Sequence, residues 1–430
     1  MSDSILEIAK NAKQASLEMA AVSAELKKDV LKKIAQNIEK NAQKIFYANK
    51  IDIENAQKNN LSNVLIGRLK LDENKLRSMF LGVKEVADLQ DPVGKILSET
   101  ELDEGLILKK VSCPIGVLGI IFEARPDVIS QISALAIKSS NAVILKGGSE
   151  ALQTNKTIFE VIKNTLEEFD NFPKNVINLV FSREDIAELL KLDEYIDLII
   201  PRGSNKLVKY IKENTKIAVL GHAEGICHIY VDKNADKNKA FEICLDAKIQ
   251  YPSACNAVET ILVNKEIAEN FLPNFYNMCQ KNQIIIKGCE ETRKILPNVE
   301  FAVEEDWKTE YSDKIVSIKI VNSLDEAIVH INKYGSHHTD CIITENAATA
   351  EKFMNLVDSA GVYQNASTRF ADGFRYGFGA EVGISTNKTH ARGPVGLEGL
   401  TIYKYKLYGK GQIVKEYAEG TKSFTHKKLK

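Results

Sequence analysis

The spacing of apolar and polar residues predicts a helical N-terminal region followed by two series of buried strands. Between residues 3 and 90, apolar side chains such as Ile34 and Ile38 recur at spacings of three and four, which is the period of an amphipathic helix. Asp91-Pro92 ends this pattern, because proline disfavours helical backbone in the residue before it.

From Pro114 onward, short apolar runs alternate with amphipathic segments. The first predicted strands are Gly116–Phe122, Ala142–Leu145, Val176–Val180, Ile196–Ile200 and Lys216–Leu220. The helices predicted between them run from Pro126 to Ser140, from an N-cap at Ser149 to Phe169, from Arg183 to Leu192, and over Asn205–Glu213. Buried strands that alternate with helices are typical of a parallel, doubly wound sheet.

A second α/β series follows the first. Its predicted strands are His228–Val231, Val258–Val263, Ile284–Ile286, Ile315–Val321 and Thr339–Thr344, and its predicted helices cover 236–249, 265–281, 323–333 and 346–358. We expect functional residues at the carboxyl ends of the strands, where open parallel sheets bind ligands. Residues 361–399 are rich in glycine and also contain arginine, asparagine and histidine, which is typical of functional loops.

Two further segments predict a small β element. Thr100–Val111 contains a short apolar run among charged residues, and Thr401–Leu407 alternates aromatic and polar side chains. Because an isolated strand pair is only marginally stable in water, we expect the two segments to pair and to bury apolar faces between subunits. This predicts a homo-oligomer.

Composition argues against several classes of function. The 430 residues suffice for two or three domains, and 57 basic against 58 acidic side chains give a net charge of −1. We therefore expect neither nucleic acid nor a membrane as partner. Seven scattered cysteines without a C-x-x-C pair indicate reduced thiols and a cytoplasmic location, and the acidic segment Met1–Lys10 is not expected to be a signal peptide.

The turn Gln250–Ala257 carries the strongest indication of chemistry. Small and turn-forming residues surround Cys255 and leave room for a substrate carbonyl above the sulfur. A thiolate forms acyl intermediates readily, and Asn256 offers an amide N–H to a developing oxyanion. A cysteine before a strand is more often a buried structural residue, so the nucleophile hypothesis depends on the rest of the chain.

Two turns offer backbone N–H groups to an anion. Lys146-Gly-Gly-Ser149 and Arg202-Gly-Ser204 each lie between a strand and a helix, where a pyrophosphate fits, although a plain helix cap is the alternative. Four arginines beside glycine or proline suggest an anionic substrate, with ordinary surface charges as the alternative: Arg125, Arg369, Arg375 and Arg392. We expect no metal site, because the neighbours Cys227-His228 and His337-His338 point to opposite faces of a strand.

Six stretches, taken in their order along the chain, resemble one family. They are PIGVLGIIFEARP from Pro114, IPRGS from Ile200, GHAEGICH from Gly221, ACNAVE from Ala254, NASTR from Asn365 and HARGPVGLEGLT from His390. Together they resemble the gamma-glutamyl phosphate reductases, also called glutamate-5-semialdehyde dehydrogenases, in the aldehyde dehydrogenase superfamily.

The resemblance implies an aldehyde dehydrogenase-like α/β fold with two doubly wound parallel-sheet domains and a small β oligomerisation hairpin. The implied parts are a nucleotide-binding domain (1–100 and 113–225), a catalytic domain (226–360), an oligomerisation element (101–112 and 395–415) and active-site loops (361–394). It implies that Cys255 is the nucleophile, with Asn256 beside it. The residues implied to hold NADPH are Lys146, Ser149, Arg202, Gly203, Ser204 and Glu310.

The implied reaction is reduction of L-glutamyl 5-phosphate to L-glutamate 5-semialdehyde by NADPH through a Cys255 thioester, the second step of proline biosynthesis from glutamate. Arg125 is the candidate for the departing phosphate. The candidates for the amino-acid end are Asn365, Ser367, Thr368 and Arg369. The resemblance also leaves open an association with glutamate 5-kinase, which supplies the labile acyl phosphate.

Three positions depart from the wider superfamily. Ala124 stands where that superfamily has its oxyanion asparagine, so we expect backbone N–H groups, together with Asn256, to take over that role. Ser149 replaces an acidic residue beside the adenosine ribose, which predicts a preference for NADPH over NADH. Gly221 replaces the general-base glutamate, which predicts transfer to phosphate rather than water, although His222 and Glu224 stay open as bases.

Two alternatives remain. A hydrolytic NAD(P)-dependent aldehyde dehydrogenase would turn over simple aldehydes, and a catalytically silent binding or scaffold protein would bind no NADPH. The retained cysteine and nucleotide turns argue against the silent protein.

Overall fold

The computed structural model describes residues 4–182, 184–222 and 224–430, with only the backbone of Val64 and Glu184. Contacts divide the chain into two compact units. Unit 1 consists of residues 1–220, 379–383 and 395–430, and unit 2 of residues 221–378 and 384–394. Residues 221–225, which were expected in the nucleotide-binding domain, belong to unit 2. Most of the expected active-site loops (361–394) also belong to unit 2, and the expected oligomerisation element (101–112 and 395–415) belongs to unit 1.

Unit 1 begins with five helices: Ile5–Met19, Ala24–Lys40, Ala42–Lys58, Asn63–Leu69 and Glu73–Asp88. Serine or aspartate residues at four of their N-caps accept hydrogen bonds from first-turn N–H groups, which satisfies donors that have no partner within the helix. Ile34 and Ile38 are buried, so the apolar periodicity correctly predicts the inward face.

The first sheet is parallel and has the strand order Ile177–Val180, Ala142–Lys146, Val117–Phe122, Leu198–Arg202 and Ala218–Val219. The intervening helices are Asp127–Lys138, Leu152–Glu167, Glu184–Leu189 and Asn205–Glu213. The predicted doubly wound sheet is confirmed, with its last strand shortened to two residues. Arg183, the predicted start of the third helix, lies outside the described residues.

The helix N-cap predicted at Ser149 is wrong. Ser149–Ala151 forms a 3-10 turn, and the α-helix begins at Leu152. The buried carboxylate of Asp52 accepts hydrogen bonds from the backbone N–H groups of Gln153 and Thr154, at 3.1 and 2.8 Å. The N-terminal helical region thus supplies the cap, and a serine cap is not needed.

A four-stranded antiparallel sheet, here called the ribbon sheet, completes unit 1. Its strand order is Thr401–Tyr408, Leu106–Pro114, Ile96–Asp103 and Lys427–Lys428. The prediction of one strand over Thr100–Val111 is wrong, because the chain reverses at Gly105, whose φ of +70° favours glycine. The predicted pairing with 401–407 is confirmed. The 3-10 turn Glu398–Leu400 and the helix Val414–Ala418 flank the outer strand.

Unit 2 contains a parallel seven-stranded sheet with the order Glu300–Phe301, Ile285–Gly288, Ile315–Val321, Val258–Asn264, Cys227–Val231, Thr339–Ile343 and Gly361–Gln364. Its α-helices are Lys237–Ile249, Lys265–Lys281, Glu290–Ile295, Leu324–Tyr334 and Ala347–Leu356, with 3-10 turns at Glu304–Lys308 and Thr368–Phe370. The central strands are buried on both faces, as their unbroken apolar runs predict. The segment predicted as loop from Gly361 instead begins with the edge strand.

A two-stranded ribbon, Gly383–Ser385 with Gly393–Val395, lies where the chain crosses from one unit to the other. Among the described residues, no helix is both long enough and apolar enough to span a lipid bilayer.

Candidate active site

Cys255 lies in the turn between the helix Lys237–Ile249 and the strand Val258–Asn264. The turn is closed by hydrogen bonds from Ala254 N to the Tyr251 carbonyl and from Ala257 N to the Ala254 carbonyl. Gly225 passes directly against it: a Cβ added there would lie 2.6 Å from Cys255 Cα and even closer to the Cys255 carbonyl. Any larger residue at Gly225 would displace the turn that holds the thiol.

The thiol lies at the amino edge of the second sheet. The strands Cys227–Val231, Val258–Asn264 and Thr339–Ile343 are parallel neighbours, and they share this edge. The segments that precede these strands carry His222, Cys255 and His338, so the topology brings the three residues together. This differs from the sequence expectation, which placed functional residues at carboxyl ends.

His338 contacts the thiol directly. Its Nε2 lies 3.2 Å from Cys255 Sγ, and its Nδ1 lies 3.0 Å from Thr339 Oγ1. Burial, assisted by the nearby His222, lowers the pKa of His338 well below its usual range. The ring is therefore neutral near pH 7, and its Nε2 faces the thiol, although burial makes it a weaker base than a free imidazole.

His222 forms the third member of the cluster. Its ring stands edge-on to that of His338, with centroids 5.1 Å apart. Its Nδ1 lies 2.8 Å from the Ile384 carbonyl oxygen, which only accepts hydrogen bonds, so Nδ1 carries the proton in the neutral ring. One ligating atom from each of His222, Cys255 and His338 lies within 4.8 Å of the others.

Sequence reasoning missed this cluster. The expectation of no metal site applies to residues that are neighbours along the chain, whereas these three residues come from three separate segments. The order of the parallel strands in the second sheet would have been the signal, because it decides which inter-strand segments share an edge.

The loop after the edge strand packs against the cysteine turn. Asn256 is buried, and its Nδ2 donates to the Ala371 carbonyl at 2.8 Å, while Thr368 Oγ1 donates to the Asn256 carbonyl at 2.7 Å. The geometry thus gives Asn256 a structural contact in addition to its predicted oxyanion role, which stays a prediction.

Three further predicted substrate residues lie in this loop. Asn365 Oδ1 and Nδ2 each bond to the backbone of Thr344 at 3.0 Å, and Ser367 Oγ accepts from Arg369 N at 3.4 Å. Arg369 is buried, and its Nε donates to Gln250 Oε1 at 2.9 Å. Asn365 and Ser367 therefore shape the loop that presents Arg369.

Arg369 interacts electrostatically with the cysteine. Burial lowers the pKa of Arg369, the charge of Arg375 lowers it further, and the Cys255 thiolate acts in the opposite direction. A guanidinium remains charged under all ordinary conditions. Arg369 is therefore a predicted substrate residue whose charge acts directly on the nucleophile.

A buried ion pair flanks the cysteine turn. Lys248 Nζ donates to Glu259 Oε2 at 2.7 Å and to the Asp313 carbonyl at 3.1 Å. Burial raises the pKa of Glu259 to about 7 against the opposing charge of Lys248, and Glu310 raises it further. Glu310, predicted to orient the nicotinamide ribose, therefore lies within electrostatic range of this pair.

The predicted nucleotide residues of unit 1 lie at the carboxyl edge of the first sheet. Lys146 and Arg202 are the last residues of their strands. Lys146 Nζ donates to the Gly147 carbonyl at 2.7 Å. Next to Ser149, the Glu150 carboxylate accepts from Ala124 N at 2.5 Å and lies against Gly148. Ser149 replaces the superfamily's acidic residue beside the adenosine ribose, but the next residue, Glu150, is itself acidic.

The second anion turn already contacts a carboxylate of its own chain. Ser204 caps the helix Asn205–Glu213, and its backbone N–H donates to Glu123 Oε2 at 2.8 Å. A Cβ at Gly203 would lie 2.6 Å from this oxygen. Arg125, predicted to receive phosphate, is half-exposed and lies 3.9 Å from Asp127.

Comparison with known proteins identifies the family. The model of the aldehyde dehydrogenase family matches residues 2–294. A gamma-glutamyl phosphate reductase of Brachyspira hyodysenteriae is 60% identical over 99% of this chain and 100% of its own length. One of Methanococcoides burtonii is 53% identical over 97% of this chain and 95% of its own length.

Solved structures agree. The crystal structure of gamma-glutamyl phosphate reductase from Thermotoga maritima matches with a TM-score of 0.94 and 41% identity, covering 96% of this chain and 100% of that one. An engineered glycolyl-CoA reductase with bound NADP+ shares only the fold, at 13% identity, a TM-score of 0.62, and coverage of 94% and 96%. The chain belongs to the gamma-glutamyl phosphate reductases, oxidoreductases of the aldehyde dehydrogenase family, which confirms the resemblance, the fold and the enzyme class expected from sequence.

Proposed function

We propose that this chain reduces L-glutamyl 5-phosphate to L-glutamate 5-semialdehyde with release of phosphate, as the second step of proline biosynthesis from glutamate, and that NADPH is the reductant. The observation that carries the proposal is the Cys255 thiol 3.2 Å from the neutral His338 imidazole. The names of the full-length relatives support the substrate.

Acylation is the first chemical step. Cys255 Sγ attacks the acyl carbon of the substrate while His338 Nε2 accepts the thiol proton. The bond from the acyl carbon to the phosphate oxygen breaks, and phosphate leaves with the electron pair of that bond and takes up the proton that His338 accepted, which returns His338 to its neutral form. A thioester on Cys255 remains.

Reduction follows on the same sulfur. A nicotinamide cofactor, when bound, supplies a hydride to the acyl carbon. Cys255 holds the resulting thiohemiacetal, and Arg369 offsets the negative charge that develops near the sulfur. Collapse breaks the carbon–sulfur bond, the aldehyde departs, and the thiolate takes a proton from solvent.

The nicotinamide nucleotide is proposed to bind at the carboxyl edge of the first sheet. A cavity of about 320 Å³ beside Ser149 is lined also by Glu150 and Asp52, and its size suits one part of a nucleotide. Lys146 offers a positive charge for a 2′-phosphate, whereas Glu150 opposes it. Arg202, Gly203 and Ser204 would contact the pyrophosphate once Glu123 gives up the Ser204 N–H.

Arginines are the proposed contacts for the anionic ends of the substrate. Arg369, supported by Asn365, Ser367 and Thr368 through the loop they build, would bind a carboxylate. Arg125 is proposed for the departing phosphate, because its guanidinium is half-exposed. Glu310 is proposed to orient the nicotinamide ribose, and Asn256 to donate to the oxyanion.

The proposed assembly is a homo-oligomer through the ribbon sheet, whose outer strand exposes Ile402, Tyr405 and Leu407. Sheet edges and apolar faces exposed in this way are commonly covered by another chain. Association with glutamate 5-kinase is proposed only because the acyl phosphate is labile.

The reverse reaction tests the function. With L-glutamate 5-semialdehyde and NADP+, we expect NADPH formation that requires added phosphate or arsenate and disappears in Cys255→Ala, while Cys289→Ala retains it. Glutamate accumulating at an undiminished rate without either anion would favour the hydrolytic dehydrogenase, for which the proximity of His222 to Cys255 provides a base.

A further inference from the structure

The His222–Cys255–His338 cluster has the composition of a transition-metal site. Imidazole nitrogen and thiolate sulfur are the ligands that Zn²⁺ prefers, and three protein ligands leave a fourth position for water. The three side chains come from separate segments of unit 2, and their ligating atoms all lie within 4.8 Å of one another. Tetrahedral zinc needs ligand atoms about 3.3–3.6 Å apart, and Cys255 Sγ and His338 Nε2 are already 3.2 Å apart.

Neighbouring groups hold both imidazoles in a metal-binding form. The Ile384 carbonyl takes the Nδ1 proton of His222, which leaves the lone pair on Nε2. His338 presents Nε2 to the sulfur, while its Nδ1 lies beside the Thr339 hydroxyl. Carbonyl or hydroxyl partners on the distal nitrogen are typical of zinc-bound histidines.

We propose that His222, Cys255 and His338 bind Zn²⁺ reversibly, and that the bound ion inhibits the enzyme by occupying the thiolate. Binding forms one zinc–sulfur bond and two zinc–nitrogen bonds and releases the thiol proton. The sulfur lone pair is then no longer available to attack an acyl phosphate.

Substitution of His222 distinguishes a three-ligand zinc site from zinc binding to the thiol alone. A single cysteine binds zinc weakly, whereas loss of one ligand from a three-ligand site should lower affinity at least about tenfold. His337→Asn is a matched control: His337 precedes His338, contacts the Asp358 carbonyl, and has a left-handed φ of +60° that asparagine tolerates.

Cobalt(II) provides a readout that does not depend on catalysis. Titration of the metal-free enzyme with Co²⁺ should give a sulfur-to-cobalt charge-transfer band and tetrahedral d–d bands that saturate at one ion per chain. Both should be lost in Cys255→Ala, weakened in His222→Ala and unchanged in His337→Asn. Zn²⁺ should displace the cobalt and protect Cys255 from iodoacetamide, as measured by mass spectrometry.

Inhibition is the second readout, and it alone rests on the proposed function. Zn²⁺ should inhibit reductase turnover, and a chelator should restore it. With the activity of each variant normalised to its own zinc-free rate, the inhibition constant of His222→Ala for Zn²⁺ should be at least about tenfold higher than that of the parent enzyme. Thermal unfolding of each variant verifies folding, with His222→Asn as the substitute if His222→Ala is unstable. Absence of the charge-transfer band from the parent enzyme, or the same band in every histidine variant, would overturn the site even if the enzyme proves to be the proposed reductase.

Discussion

The two parallel sheets place their candidate functional residues at opposite edges. In unit 1, Lys146 and Arg202 end their strands, and the next α-helices begin at Leu152 and Asn205. In unit 2, Cys255 and His338 precede their strands, and the helix Lys237–Ile249 ends beside the cysteine turn. One architecture thus presents helix N-termini at the first site and a helix C-terminus at the second.

The difference has an electrostatic consequence. Helix N-termini carry a partial positive charge that favours anions, which suits the phosphates of a nucleotide. A helix C-terminus carries a partial negative charge and gives a thiolate no support. We therefore expect Cys255 to depend on side chains such as the His338 imidazole and the Arg369 guanidinium, rather than on the helix dipole that activates many reactive cysteines.

The largest expected effect is on turnover, and it distinguishes the cysteine site of unit 2 from the proposed nucleotide site of unit 1. Cys255→Ala should lower turnover at least about 10⁴-fold, because the attacking atom is lost, while NADPH binding, which we assign to unit 1, should be unchanged. Steady-state rates and NADPH fluorescence titration measure the two quantities, with Cys289→Ala as the matched control. Turnover within about tenfold of the parent would remove Cys255 as nucleophile.

The next effect tests the side-chain dependence of the thiol. His338→Ala should lower kcat about 10²–10⁴-fold, as expected when a general base is lost, and should slow alkylation of Cys255 by iodoacetamide. His337→Asn should change neither rate. An unaltered alkylation rate in His338→Ala would show that His338 does not act on the sulfur.

The third prediction concerns the ion pair beside the cysteine turn. Lys248→Met should lower the free energy of unfolding by about 3–5 kcal/mol near neutral pH, because Glu259 loses its buried partner. Burial already raises the pKa of Glu259 to about 7 from an ordinary value of 4.5, and loss of Lys248 should raise it further.

A carboxyl group with a raised folded-state pKa contributes stability that is present below its unfolded pKa and is lost as pH rises. The deficit of Lys248→Met should therefore be larger at about pH 8 than at about pH 5. Chemical denaturation at both pH values measures it, and Lys233→Met, which breaks an exposed pair with Glu266, is the control. A deficit independent of pH would exclude Glu259 as its source.

The smallest expected effect is on the preference between NADPH and NADH, and it concerns the carboxyl edge of the first sheet. Glu150→Gln keeps an acceptor for Ala124 N but removes a charge from the cavity beside Ser149, so it should raise the preference for NADPH over NADH about two- to fivefold. Ser149→Glu should shift the preference toward NADH. The ratio of kcat/KM for the two cofactors is the measurement, and no change in either variant would place the adenosine ribose elsewhere.

Sequence periodicity was sufficient for the two sheets, because strands buried on both faces read as unbroken apolar runs. It was insufficient at Ser149, where Asp52, distant in sequence, supplies the cap. It also missed the reversal at Gly105, since a glycine between charged residues gives little local signal.

The candidate site shows the same division. Cys255 was predicted from its small neighbours and from family resemblance, both of which are properties of one short segment. His222 was left open only as a base, and His338 was not predicted, because the proximity of both to the sulfur depends on strand order in the second sheet. Asn365 and Ser367 were predicted to bind the substrate, and they do lie in the loop that packs against the cysteine turn. Their side chains, however, form hydrogen bonds with the backbone of Thr344 and Arg369.

Unit 2 is not contiguous, and this has a consequence for the newly made protein. The Ile384 carbonyl that holds the His222 ring belongs to the returning segment 384–394, 162 residues after His222. On the ribosome, Cys255 and both histidines emerge well before this segment. The orientation of His222 is therefore completed only near the end of synthesis, and a fragment ending at residue 378 would retain the thiol but lack the group that orients its second histidine.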